Sequence, residues 1–249
     1  MQVIAFISGK GGVGKSTLAA NVAVALGSRR KRVLLIDLDP QNVQRLHLGM
    51  DPDEIAGLVR EGIRPDSVFD SPFGVQFIPF GRVTEVELEE FEAELKRMPN
   101  WVADGIESLD TNAFDFLILD TPPGATVFLQ QALHAANRAL IVVLPDAASY
   151  ASIPKIMSLV DHHTAGRDDF YGRHFLINQM PGRSQLGHQV RSALYANYAD
   201  QLVPVAIHKD AKVAQALACE RPVVEYEPAS PASIDVQHVA GWLLDTTSA

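Results

Sequence analysis

Seven short apolar runs punctuate the chain, at residues 2–8, 33–36, 75–79, 114–119, 138–144, 173–177 and 202–207. Most are continuous rather than alternating, as strands buried on both faces of a parallel sheet require. The stretches between them carry apolar residues at helical spacing. Residues 15–27 present Leu18, Val22, Ala25 and Leu26 as a stripe, with Gly27 placed as a C-cap. Residues 44–61 predict two short helices broken at Gly49 and Pro52. Residues 85–98 predict an acidic amphipathic helix lined on one side by Val86, Leu88, Phe91 and Leu95. Further helices are expected at 101–109, 126–135, 149–162, 186–198 and 212–219, with Pro154 in the first turn of its helix or restarting it. A last helix at 231–244, capped by Ser230, carries Ile234, Val236, Val239, Trp242 and Leu243 on its apolar face. Strands alternate with helices to the end, without repeat or linker. The pattern predicts one α/β domain over residues 1–249, a doubly wound, mostly parallel sheet with helices on both faces.

A glycine-rich loop joins the first strand to the first helix, SGKGGVGKST at residues 8–17. Gly9, Gly14, Lys15 and Ser16 fit the phosphate-loop pattern G-x-x-x-x-G-K-[ST]. Glycines reach positive φ and let backbone N–H groups close on phosphate oxygens, where a Cβ would intrude. The helix starting near Gly14 adds unpaired N–H groups and the positive end of its dipole. Gly9, Gly11, Gly12, Val13, Gly14, Lys15, Ser16 and Thr17 are therefore the candidate phosphate contacts, with a nucleotide as the expected ligand. Lys15 supplies a point charge for the outer phosphates, and the Ser16 hydroxyl suits Mg²⁺, an ion that prefers oxygen.

Two further strands end in carboxylates. The second closes on Asp37-Leu38-Asp39-Pro40-Gln41, and a right-handed crossover brings that end to the same sheet edge as the loop. The alternative reading is a pair of loop aspartates that merely start a turn before Pro40. The run at 114–119 closes on Asp120, which reads as a Walker B carboxylate or as a cap for the helix at 126–135. The basic run Arg29-Arg30-Lys31-Arg32 reads as a solvated helix end. His162 and His163, adjacent on one helix, do not face a common ligand site and are expected at the surface.

Lys10 adds a second lysine early in the loop, GKGGVGKST, and this resembles the "deviant" phosphate loop of the MinD/ParA family of P-loop ATPases. The resemblance implies a homodimer with ATP sandwiched at the interface, in which Lys10 reaches the nucleotide of the other subunit. It further implies that Asp39 orients the attacking water, that Asp37 helps hold the magnesium shell and that Asp120 binds Mg²⁺ through water. Thr121-Pro122-Pro123-Gly124 would be the second switch segment, and Asn178 would read the adenine edge. The loop His208-Lys209-Asp210 is expected to flank the base.

Residues 39–50, 78–81 and 203–230 resemble the BcsQ branch of that family, ATPases of bacterial cellulose-synthase operons. That implies cytoplasmic subunits of a cellulose synthase and secretion complex as partners. Both lysines and both switch aspartates are kept, so hydrolysis is expected. The composition, 47% hydrophobic and 20% charged, is ordinary for a soluble domain, and no apolar stretch spans a bilayer. The chain enters a strand directly after Met1, so a cytoplasmic location without a signal peptide is expected. Cys219 is the only cysteine, which leaves no thiol cluster for an internal disulfide or an iron–sulfur centre. The net charge of −9 argues against a general DNA-binding surface. The last helix has no Lys or Arg, so any membrane association is expected to be indirect, through partners.

Overall fold

In the computed structural model, which describes residues 1–51, 53–182 and 185–247, β1 (Gln2–Ile7) runs between β5 (Phe116–Asp120) and β6 (Arg138–Val143). Four more strands complete the sheet: β2 (Val33–Asp37), β3 (Phe69–Asp70), β4 (Gln76–Ile78) and β7 (Arg173–Ile177). The order is β3-β4-β2-β5-β1-β6-β7, and every neighbouring pair is parallel except β3 with β4. Alternate residues of β1 feed two separate cores. Val3, Ala5 and Ile7 face α4 (Glu85–Arg97), α5 (Trp101–Glu107), α6 (Val127–Ala135), α7 (Ala147–Thr164) and α8 (Gln185–Tyr198). Ile4 and Phe6 face α1 (Lys15–Gly27), α10 (Val223–Tyr226) and α11 (Pro231–Thr247). This is the doubly wound arrangement expected from the continuous strands. The remaining short helices are α2 (Gln44–His47), α3 (Leu58–Glu61) and α9 (Ala211–Ala218).

Several expectations change with tertiary context. Helix α1 is buried on nearly every side, because the sheet covers one flank and α11 the other. Gly27 does not cap it in the left-handed region; that role falls to Arg30, at φ 63. Gly27 is glycine because a Cβ there would lie 3.0 Å from Val75 Cγ1 and 3.1 Å from the Gly74 carbonyl. Val86 and Ile234 leave their predicted apolar faces and are exposed, while Phe91 and Leu95, and Val236 and Val239, carry the burial. Pro154 sits inside α7, which starts earlier than expected because Asp146 accepts a hydrogen bond from Ser149 N and caps it. Residues 202–207 do not form a strand. They run beside β7 through Val203 N to Phe175 O and Ile207 N to Ile177 O, and Pro204 has no N–H to extend a ladder. The two-residue β3 was not foreseen, being too short to leave a periodic trace. The two short helices of residues 44–61 are present as α2 and α3; Pro52, assigned as one of the breaks, lies outside the described residues.

Candidate functional site

The loop leaves β1 at Ile7 and enters α1 at Lys15. Gly12 and Gly14 take φ values of 75° and 82°, the left-handed region that glycine reaches without strain. A Cβ on Gly14 would sit 2.4 Å from Asn178 Nδ2, so the loop is also pressed against the end of β7. The loop encloses a cavity of about 260 Å³, whose walls also include Asp39, Val43, His47 and Pro123. The segment Thr121-Pro122-Pro123-Gly124 is tied to the end of β1 beside it: Gly124 N donates to Ser8 O at 2.9 Å, and Thr121 Oγ1 donates to Phe6 O at 2.9 Å.

The two lysines of the loop occupy different environments. Lys15 is buried, and its Nζ donates to Asp120 Oδ1 at 2.9 Å. Lys10 stands at the surface, 3.2 Å from Asp146 Oδ2. Lys10 also lines the phosphate cavity, from its solvent-exposed side.

Asp37 and Asp120 are register partners across β2 and β5, and neither is exposed. Asp37 accepts from Asp39 N at 2.9 Å and from Gln44 N at 3.2 Å. Asp120 accepts from Lys15 and from Gln44 Nε2 at 2.7 Å. Asp39 is also buried, and its Oδ1 accepts from Gln41 N at 3.0 Å while Asn42 N donates to Asp39 O. Asp39 thus does open a turn with Pro40 in second position, yet it also lines the phosphate cavity. Asp120 does not cap α6; Thr126 does, accepting from Leu129 N. Burial raises the Asp37 carboxyl well above its ordinary value, helped by the nearby charge of Asp120 and opposed by the amides of Asp39 and Gln44. Burial raises Asp39 too, against the Gln41 amide and the charge of Lys15.

Three carboxylates stand against one lysine, and with Ser16 Oγ they offer a set of oxygen donors. This set suits a hard divalent cation. Among the described residues no three Asp, Glu, His or Cys side chains are set to hold a metal by themselves. Mg²⁺ takes one or two protein oxygens and completes its shell with water and phosphate. The loop fits a phosphate chain, since Gly12 and Gly14 line the cavity at positive φ with no side chain to intrude.

A second cavity of about 440 Å³ shares Gly14, Thr17 and Leu217 with the first and extends between α1, α9 and α11. Its walls are mostly apolar, with Asn178 and His208 among the polar exceptions. The Asn178 side chain is engaged within the chain: Nδ2 donates to Val13 O at 2.7 Å and Oδ1 accepts from Gln179 N at 2.8 Å. It holds the phosphate loop to β7. His208 is fixed by Asp235, whose Oδ2 meets both its backbone N (2.8 Å) and its Nδ1 (2.7 Å).

Sequence reasoning missed Gln44, His47 and Asp235. His47 is buried on α2, with Nε2 3.4 Å from Thr17 Oγ1. Burial pulls its pKa down to about 4 despite the charge of Asp120, so the ring is neutral at pH 7. Gln44 and His47 stand at i and i+3 one turn after a carboxylate strand end, and that spacing was the available signal. Elsewhere, His162 and His163 lie near the surface end of α7, where their rings meet each other and that of His134.

A family model described as cellulose biosynthesis protein BcsQ matches residues 1–244. The chain is 26% identical over 233 residues to a chromosome partitioning protein ParA of Myxococcus xanthus, covering 91% of this chain and 82% of that protein. It is 27% identical over 258 residues to the cellulose biosynthesis protein BcsQ of Escherichia coli, covering 98% and 94% respectively. Among solved structures it resembles the septum site-determining protein MinD of Pyrococcus horikoshii complexed with Mg-ADP. The TM-score is 0.80 at 25% identity, over 100% of this chain and 98% of that one.

Proposed function

Because the chain belongs to the BcsQ family of cellulose biosynthesis proteins, within the MinD/ParA class of P-loop nucleoside triphosphatases, we propose that it is a magnesium-dependent ATPase acting as a dimeric switch in the assembly or placement of a cellulose synthase complex. The observation that carries the reading is the buried Lys15–Asp120 pair set against the glycine loop, with Asp37 and Asp39 beside it. Lys15 and the loop amides bind the β- and γ-phosphates. Ser16 Oγ and water held by Asp37 and Asp120 would carry Mg²⁺, which when bound neutralises charge on the phosphate oxygens. Asp39 orients a water in line with the γ-phosphorus. The new O–P bond forms as the bond to the β-phosphate oxygen breaks, giving ADP and phosphate, and the water's proton is received within the site. Burial raises Asp39, which suits it to accept that proton. The apolar cavity between α1, α9 and α11 receives the base, with His208 at its rim. Asn178 acts on the base side by fixing the loop.

Lys10 lines the exposed side of the phosphate cavity and pairs there with Asp146, where it is accessible to a second copy; its contribution is made to that copy's nucleotide across the dimer interface. The partners are then cytoplasmic subunits of the cellulose complex, and the protein reaches the inner-membrane face through them. Among the described residues no helix is long and apolar enough to cross a membrane. The deciding experiment is the mass in solution of wild type and Lys10→Ala without nucleotide, with ADP, and with ATP plus Mg²⁺. A dimer formed by wild type only with ATP, and not by Lys10→Ala, supports the switch; a mass indifferent to nucleotide refutes it. The identity to a chromosome partitioning protein, 26%, is close to the 27% to the E. coli cellulose protein, and this favours a second reading, an ATPase that positions DNA. Retention on nonspecific DNA only with ATP, lost steeply with salt, would establish it.

A further inference from the structure

One residue joins all three positions expected around the cation. Gln44 is completely buried in α2. Its Nε2 donates to Asp120 Oδ2 at 2.7 Å and to Ser16 O at 2.9 Å. Its backbone N donates to Asp37 Oδ2 at 3.2 Å. The orientation of the amide is fixed by chemistry, because a flipped group would set its oxygen against a carboxylate and a carbonyl. The remaining atom, Oε1, is buried with no hydrogen-bond partner in the chain. It belongs to the same amide as Nε2 and so lies beside Asp120 and the first turn of α1. A buried acceptor without a donor is uncommon and calls for one.

We propose that Gln44 is a positioning residue for the phosphate-bound divalent cation: its Nε2 aligns Asp120 and the Ser16 turn, and its Oε1 accepts a hydrogen bond from a water of the cation's shell. This rests on the nucleotide-binding reading above and adds to it. A neutral amide suits the place. A further carboxylate would add charge to three already crowded ones, whereas the amide holds one of them by a donor and offers the water an uncharged acceptor. Mg²⁺ keeps most of its waters, and each water brings two protons that need acceptors. Outer-shell partners of this kind tune metal affinity by about 10–100-fold.

The test measures affinity for a fluorescent ADP analogue in EDTA and across a Mg²⁺ titration, for wild type, Gln44→Leu and Gln44→Glu. Gln44→Leu removes both amide functions, and Gln44→Glu keeps the shape while replacing the donor with an oxygen. The expected result is a Mg²⁺ midpoint raised about 10–100-fold in the variants, with the EDTA affinity within about twofold of wild type. A merely structural role would move both affinities together. A midpoint within about twofold of wild type, or an equal loss in EDTA, overturns the proposal. If circular dichroism shows Gln44→Leu unfolded, Gln44→Glu decides by the same criteria, and unfolding of both also overturns it. Wild type that binds the analogue under neither condition refutes the nucleotide reading itself, and this inference with it.

Discussion

Replacing Lys15 with methionine keeps most of the side chain's length and removes its charge. In the wild type Lys15 and Asp120 are buried and 2.9 Å apart. Among the described residues the variant leaves Asp120 with only Gln44 Nε2 as side-chain partner, beside Asp37 and Asp39. Breaking a buried ion pair from one side costs about 3–5 kcal/mol. The Gln44 amide and proton uptake by the carboxylates relieve part of this, which places the loss near the lower bound, about 3 kcal/mol. In a chain of this size 1 kcal/mol moves Tm by about 2–4 °C, so the melting point should drop by roughly 6–12 °C. Urea and thermal unfolding at pH 7, in EDTA and without nucleotide, measure it. In a double-mutant cycle with Asp120→Asn the coupling should reach at least about 2 kcal/mol. The deficit should also shrink in acid. Asp37 and Asp39 already have raised pKa values, and loss of Lys15 removes a charge that lowers Asp39. A loss under about 1 kcal/mol, or additive single mutants, would refute the argument, since that is how solvated surface pairs behave.

The raised pKa of Asp37 means that the folded chain holds more protons than the unfolded chain above the ordinary value of 3.8, so stability falls as pH rises through that window. Asp37→Asn should flatten this slope, and denaturation midpoints compared from about pH 4 to pH 8 should shift in the variant's favour as pH rises. His47 has the opposite sign. Its pKa is lowered from 6.5 to about 4, so its contribution is complete above the upper value and lost as pH falls through the window. His47→Leu should therefore be less sensitive to acid than wild type between those values, by at most about 3 kcal/mol in urea unfolding. Gly14→Ala should cost about 1–3 kcal/mol in thermal stability and abolish binding of a fluorescent ATP analogue, through its positive φ and its collision with Asn178. Pairing it with Asn178→Gly should recover part of the stability if the collision is the cause.

The chain's own order of residues determined a good deal. Continuous apolar runs can be satisfied only by strands covered on both faces, so the doubly wound sheet was legible from 2–8, 33–36 and 138–144 alone. The phosphate loop was legible too, because backbone conformations open to glycine and the chemistry of phosphate fix residue types at fixed spacing. Asp37 and Asp120 could be brought to one edge by the handedness of the crossover, and the structure places them as register partners. Tertiary structure decided what depends on neighbours distant in the chain. Helix α1 carries an apolar stripe but is buried nearly all round, because α11 arrives about two hundred residues later to cover it. Val86 and Ile234 sit where periodicity puts a core face, yet both are exposed. Gln44 reads as an ordinary polar helix residue. Only the approach of β5 and α1 turns its amide into a bridge between Ser16 and Asp120, since hydrogen bonds act over about 3 Å and sequence separation says nothing about that distance.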